Sequence, residues 1–435
     1  MKTAAFYTFG CKLNQSETEY LIELFLKNGF KVTDFNRTAD IYIVNSCTVT
    51  NRADYKSREY IRKAYKLNSK AIFIVIGCSV ENYTEKYFGL DFIDYLIGTG
   101  DKIEFFKENL TRLKKQKTVQ IIKNTPPESN HPDSTVISSF RGHTRSFIKI
   151  QDGCNFDCSY CAVRLARGKS RSKNPDIVLS EISELANRGF KEVVLTGVHV
   201  GLYGLDLKNR IEFPSLIKLI LDRTEIERLR ISSIDPEDVN ESLLNLFHTY
   251  PGRLCRHLHI SFQSLSDKIL KLMKRRNTSG EIIETITKIK TEIPFINIGG
   301  DFITGFPGES EEYFYETYNR LRENEINYFH VFPYSVRENT PAAVFKDQVD
   351  GEVKNERVKM LRNLNREKRT SFLNELRDIE LPFLIEPPVH NSEIPKGISD
   401  NYLRVPFPMA TERDYNLIKK AKITSANPLT GALVT

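Results

Sequence analysis

The sequence predicts an α/β protein of three units: an N-terminal open parallel sheet, a central partial barrel of six β/α units, and a small C-terminal β-barrel-like module. Three observations carry this. Short β-branched and aromatic runs alternate with helical patterns over most of the chain. A polar stretch containing TPPESNHPDST divides that alternation in two. The tail is rich in Pro, Val, Ile and turn residues. The expected boundaries are 1–120, a linker at 121–140, 141–370 for the barrel and its following helix, and 371–435.

In the first unit, AAFYTFG, DIYIVNS and AIFIVIG read as strands, each followed by a helical pattern. The first helix, Ser16 to Asn28, opens with Ser16 and Glu19 in capping-box spacing. The polar stretch from Lys114 to Ser139 reads as linker. Beyond it, strands are expected at Phe147–Ile150, Glu192–Thr196, Arg228–Ser232, His257–Ser261, Ile296–Ile303 and Phe329–Phe332. Helices fill the gaps, for instance Pro175–Asn187 and Pro236–His248. A long charged helix, Glu352–Arg377, leads into the tail.

The composition, 40% hydrophobic and 27% charged over 435 residues, is that of a globular protein. No apolar run reaches membrane-spanning length, and the start of the chain lacks the layout of a secretory signal. The expectation is a cytoplasmic protein without a membrane partner. The formal charge of +7 permits a nucleic-acid partner without requiring one. Basic residues gather at Asn51–Lys66, including Arg52, Lys56 and Arg58, and again at Arg164–Lys173 and Lys271–Arg276. Any one such run is ordinarily a solvated helix face.

Seven cysteines in a chain read as cytosolic point to metal or redox chemistry rather than disulfides. Cys154, Cys158 and Cys161 sit at spacings of four and three just after the first barrel strand. Thiolates suit Fe–S clusters and zinc. Three ligands on a 4Fe–4S cluster leave one iron open, whereas structural zinc wants a fourth ligand, for which His143 is the candidate. Cys11, Cys47 and Cys78 each follow the end of one of the first three strands. The carboxyl ends of neighbouring parallel strands face a common crevice, so these three are expected to converge. Cys255 has no such pattern and reads as structural.

The CxxxCxxC motif, with an aromatic before its last cysteine, resembles the radical S-adenosylmethionine (SAM) superfamily. The resemblance implies that the open iron binds SAM, and that an electron from the cluster cleaves it to a 5′-deoxyadenosyl radical. With a second three-cysteine set, the chain resembles the methylthiotransferases, which join an N-terminal domain, a radical SAM barrel and a TRAM domain. TFGCKLNQSETE, NSCTVTNRADYKSR, IKIQDGCNFDCSYC, LTGVHVG and GDFITGFPGE carry the likeness over nearly the whole chain. It implies a transferase with two 4Fe–4S clusters, one held by Cys11, Cys47 and Cys78, the other by Cys154, Cys158 and Cys161. SAM and a reducing partner such as flavodoxin or ferredoxin are implied with them.

The superfamily pattern further suggests SAM contacts at Gly197, Ser232, Ser233, Gln263, Asp301 and Gly305, at the C-terminal ends of barrel strands. Arg167 and Arg171 are candidates for the SAM carboxylate or an RNA phosphate. GCKLNQSETE and VTNRADYKSR most resemble the branch that modifies carbon 2 of N6-threonylcarbamoyladenosine in the tRNA anticodon stem-loop. The other branches modify isopentenyladenosine in tRNA or an aspartate of a ribosomal protein. Gly397–Val405 resembles the core TRAM strand, which makes Tyr402 and Arg404 candidate RNA contacts beside Arg52, Lys56 and Arg58. Two motifs depart from the family: Ser261-Phe-Gln-Ser-Leu265 for Pro-Leu-Gln-Ser-Gly, and Arg337-Glu-Asn-Thr340 for Arg-Pro-Gly-Thr. The reading from another class is a non-catalytic, zinc-stabilised RNA-binding protein.

Overall fold

The computed structural model describes residues 1–100, 102–123, 144–388, 393–427 and 431–434. The N-terminal sheet has six parallel strands in the spatial order Lys31–Thr33, Thr3–Thr8, Ile41–Ser46, Ile72–Gly77, Tyr95–Ile97, Gln120–Ile122. The long central three are those the hydrophobic runs predict. The flanking three have three residues each, too few to show a period. Gln120–Ile122 corrects the linker expectation: part of that polar stretch is an edge strand. Most of the remaining linker, and His143, lie outside the described residues.

Alternate residues of the central strands sort to opposite faces, as the pleat requires. Ile41, Ile43, Ile72, Ile74 and Ile76 meet Leu21 and Phe25 of the first helix and Phe106 of a later one. Tyr42, Val44, Phe73 and Val75 meet Ile61 and Ala64 of the helix Asn51–Leu67. The first helix begins at Lys12 with Cys11 as its N-cap, a turn earlier than the Ser16 capping pattern predicts. Ser16 is buried inside the helix.

Six parallel strands follow in chain order: Arg145–Lys149, Glu192–Thr196, Arg228–Ile231 continued by Ser233–Ile234, His257–Gln263, Asn297–Thr304 and Tyr328–Pro333. This is the expected partial barrel, with its third strand interrupted at Ser232. Outward residues such as Leu229, Leu258, Ile260 and Phe302 pack under the surrounding helices. Most inward residues are polar, among them Glu192, Arg228, Arg230, His257, His259 and Asp301. Pro236–Asp238 is a short 3₁₀ turn, and the helix expected there runs instead over Glu241–Thr249, capped by Asn240. A helix would leave four amide donors unpaired, and the Asn240 side chain takes that of Leu243.

Phe147 and Val194, inward-facing on the first two barrel strands, join the hydrophobic core of the N-terminal unit. The N-terminal helix therefore lies along the first strand of the open barrel. The long helix Gly351–Glu375 leads into five antiparallel strands in the order Arg404–Pro406, Lys396–Ser399, Glu380–Glu386, Ile418–Asn427, Gly431–Val434. That sheet curls until its two edge strands approach each other. Among the described residues, no helix is long and apolar enough to cross a membrane.

Candidate active site

The first barrel strand runs on into Gln151–Asp152, which pairs antiparallel with Arg171–Ser172 and pins the cysteine loop between them. Gly153 takes φ +72°, and a Cβ there would stand 1.9 Å from the carbonyl oxygen of Lys169, so only glycine fits the turn. The Cys154 amide donates to Gly168 at 3.0 Å, and the Cys161 amide to Cys158 at 3.1 Å. Ser159 ties the loop to the fourth β/α unit, its hydroxyl donating to Leu272 at 2.8 Å.

Cationic groups surround these sulfurs. Arg275 Nη1 lies 3.9 Å from Cys158 Sγ, while its Nη2 meets Asp235 at 2.9 Å and donates to the Ser261 carbonyl at 2.8 Å. His199 Nδ1 is 4.0 Å from Cys154 Sγ, and its Nε2 is 2.6 Å from Asp238. Burial disfavours the charged imidazole, yet Asp238 and Cys154 raise His199 to about 9. Burial pushes the Cys161 thiol up to about 11.

The second cysteine set converges at one end of the N-terminal sheet. Cys47 follows the strand Ile41–Ser46, Cys78 opens the short helix after Ile72–Gly77, and Cys11 caps the first helix. Gly10 lets the backbone pass: a Cβ there would come within 2.7 Å of Cys47 Cβ. Asn14 Nδ2 donates to Phe9 at 2.8 Å and Ser46 at 3.0 Å, clasping two of the loops. Burial, with the neighbouring Cys11 and Cys78, pushes the Cys47 thiol up to about 12.

The spacing of the sulfurs bears on what each set can hold. Around tetrahedral zinc, thiolate sulfurs at 2.3 Å stand about 3.8 Å apart. Among the described residues, His259, Asp301 and His330 form the group of three potential ligands whose atoms all lie within 4.8 Å of one another. Neither cysteine set is that compact. Three thiolates in each set suit an iron–sulfur cluster by donor type, and neither set is drawn in as tightly as the ligands of a lone tetrahedral zinc.

The two sets belong to one buried seam. The helix opened by Cys78 packs on Val163–Arg167, the helix that follows Cys161. Asn82 Nδ2 donates to the Ala162 carbonyl at 2.8 Å. The Radical SAM superfamily matches residues 148–321, and the uncharacterized protein family UPF0004 matches residues 3–98. The chain is 36% identical to the threonylcarbamoyladenosine tRNA methylthiotransferase MtaB of Bacillus subtilis, over 98% of this chain and 94% of that one. It is 36% identical to the Thermotoga maritima protein of the same name, over 83% and 81%.

The chain belongs to the radical SAM methylthiotransferases.

A Clostridium botulinum family member, a tRNA-2-methylthio-N(6)-dimethylallyladenosine synthase, is 31% identical over 89% of this chain and 86% of that one. The radical SAM methyltransferase TsrM of Kitasatospora setae shares the fold at 16% identity, with a TM-score of 0.59 over 79% of this chain and 77% of that one. The family brings SAM and a 4Fe–4S cluster to this methylthiotransferase, and makes it a transferase.

The predicted SAM contacts divide. Ser232 interrupts the third barrel strand, and its buried hydroxyl has no partner among the described residues. Ser233 begins the next strand segment, half-buried. Gln263 ends the fourth strand at φ +67°, a left-handed conformation a non-glycine residue holds only at a cost. Gly197 lies against Gln151, whose side-chain oxygen accepts from the His199 amide at 2.9 Å. These four keep the expected position at the C-terminal ends of strands. Gly305 lies under the Lys354 side chain, and its amide donates to Glu309 at 2.7 Å.

Four of the expected contact residues have partners within the protein. Asp301 is taken by His259 Nε2 at 3.0 Å and His330 Nδ1 at 3.1 Å, which outweigh burial and hold its carboxyl well below the usual range. Arg167 is 1% exposed and donates to Glu17, Asp152 and Asn14, so no phosphate reaches it. Arg171 donates to the Arg167 and Lys169 carbonyls within the loop. Tyr402 is half-buried: it enters the barrel floor at φ +68°, stacks on His257 at 4.3 Å and lies beneath Arg230. Arg404 is exposed and bridges Glu386 at 2.7 Å. Arg52 and Lys56 are exposed on the helix after Cys47, with Arg58 half-buried beside them.

Sequence reasoning missed the groups that line this interior. His199 stood within LTGVHVG and Arg275 within a run read only as basic surface. The Arg337-Glu-Asn-Thr340 departure is accommodated: Asn339 adopts φ +67°, which asparagine tolerates best after glycine. Arg337 meets Asp54 at 2.5 Å and Thr48 at 3.0 Å, tying the last barrel loop to the segment after Cys47.

Proposed function

We propose that this protein attaches a methylthio group to carbon 2 of N6-threonylcarbamoyladenosine beside the tRNA anticodon. The observation that carries the reading is the pair of three-cysteine sites, one on each α/β unit, flanking a single buried seam. Relatives of matching length named for that nucleoside support it.

In this reading Cys154, Cys158 and Cys161 hold one 4Fe–4S cluster, and Cys11, Cys47 and Cys78 hold a second. When bound, the clusters and SAM supply the electron, the radical and the methyl chemistry. Arg275 and His199 offset negative charge on the first sulfur set. Ser232, Ser233, Gln263 and the backbone at Gly197 orient SAM, the orphan hydroxyl of Ser232 gaining its missing partner. The electron comes from a flavodoxin- or ferredoxin-like donor.

Arg52, Lys56 and Arg58, on the helix that follows Cys47, and Arg404 in the TRAM-like module track the phosphate backbone. The target adenosine leaves its stack to reach the interior. The polar inner wall of the barrel receives it where a solid apolar core would exclude it.

The test is mass spectrometry of tRNA nucleosides from a host lacking its own enzyme, with and without this gene. A new methylthio form of threonylcarbamoyladenosine, absent with Cys158→Ala, is the expected result. A methylthio form of isopentenyladenosine, or none in cells making iron-loaded protein, would overturn the substrate assignment.

A further inference from the structure

Lys12 follows Cys11 directly and is the first residue of the helix that lies along the open barrel. Its ammonium reaches the barrel floor, 5.8 Å from the centre of the Tyr402 ring. Arg230 and Arg145 approach the same ring at 5.0 Å and 5.9 Å. The acid whose charge reaches Lys12 is Glu192, and it is already held by Arg230 at 2.7 Å and Arg228 at 2.8 Å. Glu386, the next acid at this floor, is held by Arg145 at 3.2 Å and Arg404 at 2.7 Å.

The fully buried lysines differ. Lys149 meets Glu17 at 3.3 Å, and Lys173 meets Glu181 at 2.8 Å. Among the described residues, Lys12 has no carboxylate within ion-pair distance. A half-buried cation with no carboxylate partner leaves the floor with unmatched positive charge, so it is set up for an anion from outside. The N-terminal end of the same helix adds positive potential.

We infer that Lys12 reads the carboxylate of the threonylcarbamoyl group and so selects an adenosine with an acidic N6 substituent. This rests on the proposed substrate. Carbon 2 and carbon 6 of adenine flank N1 on one edge, so a substituent on N6 extends along the edge that carries the reacting carbon. Adjacent residues can then serve both, Cys11 at the second cysteine site and Lys12 at the acid. A dimethylallyl group, the substituent named for the Clostridium botulinum relative, carries no charge for a lysine to meet.

The experiment measures Kd of the iron-loaded full-length protein for anticodon stem-loops carrying threonylcarbamoyladenosine or its methyl ester. Wild type is expected to bind the acid about tenfold to a hundredfold tighter than the ester, the range of a charge-assisted hydrogen bond. Lys12→Gln should abolish that ratio and Lys12→Arg preserve it. The ratio compares two ligands on one protein, so a general loss of fold or iron does not mimic the effect. If Lys12→Gln does not fold, the wild-type acid-to-ester ratio and Lys12→Arg still decide. No acid preference in wild type, or a preference that survives Lys12→Gln, overturns the inference. Failure of wild type to methylthiolate the threonylcarbamoyl stem-loop at all instead overturns the substrate reading.

Discussion

Arg167 Nη1 stands 3.0 Å from Glu17 Oε1, joining the loop that carries Cys161 to the helix capped by Cys11. Asp152, Lys149 and Lys102 complete the cluster, all deeply buried. Burial opposes charge on Glu17, but Arg167, Lys102 and Lys149 outweigh it and hold the carboxyl well below its usual range. Buried ion pairs of this kind matter most when one member is lost, because the others are then stranded.

Glu17→Gln is therefore expected to destabilise the protein by about 3–5 kcal/mol. Arg167→Lys should recover little, since an ammonium cannot reach Glu17, Asp152 and Asn14 at once as the guanidinium does. Urea unfolding measures both. A Glu17→Gln protein as stable as wild type would show that the seam carries no stability.

A pH dependence follows from Glu192. Burial raises its pKa, but Arg230, Arg228 and Arg145 bring it down to about 2. A carboxylate depressed in the folded state stabilises fully above its unfolded pKa, and that contribution is lost as pH falls through the folded value. Stability should thus fall between about pH 4.5 and about pH 2. Glu192→Gln should flatten that part of the profile while costing a few kcal/mol at neutral pH. An unchanged acid slope in the variant would assign the loss to other groups.

Tyr402 is expected to act as packing. Tyr402→Ala removes a ring stacked between His257 and Arg230, a loss of about 3–5 kcal/mol by analogy with other buried aromatics. Tyr402→Phe keeps the ring and should keep most of the stability. Weaker RNA binding by Tyr402→Ala at unchanged melting temperature would return the residue to the RNA surface.

The two cysteine sets should separate by function. Cys158→Ala is expected to lose SAM cleavage, because two thiolates hold a cluster poorly. Cys47→Ala should retain most cleavage to 5′-deoxyadenosine, lose methylthiolation, and carry about half the iron of wild type, one 4Fe–4S cluster in place of two. Normal product formation by Cys47→Ala would refute the second cluster's placement.

Much of this was legible in the chain. The central strands of both α/β units announced themselves as β-branched runs, and Cys154, Cys158 and Cys161 lie close enough in sequence to be read as one donor set. The short flanking strands did not, because three residues show no periodicity and are held by their neighbours in the sheet. The partners of Arg167 and Tyr402 were not legible, for a common reason. An arginine after a cysteine loop and a tyrosine in a presumed RNA-binding strand look exposed until the partner that buries them is known.

Residue order alone carries the succession of elements, the two cysteine sets and the family likeness, since each depends on residues near in the chain or on a strand's carboxyl end. Which charges are free depends on how the three units pack. Arg167 finds Glu17 across 150 residues, Arg230 meets the Asp400 backbone across 170, and Lys12 is left beside acids already taken. Ion pairing in a buried seam acts over a few ångströms of space, and no local pattern of residues encodes which partners will share it.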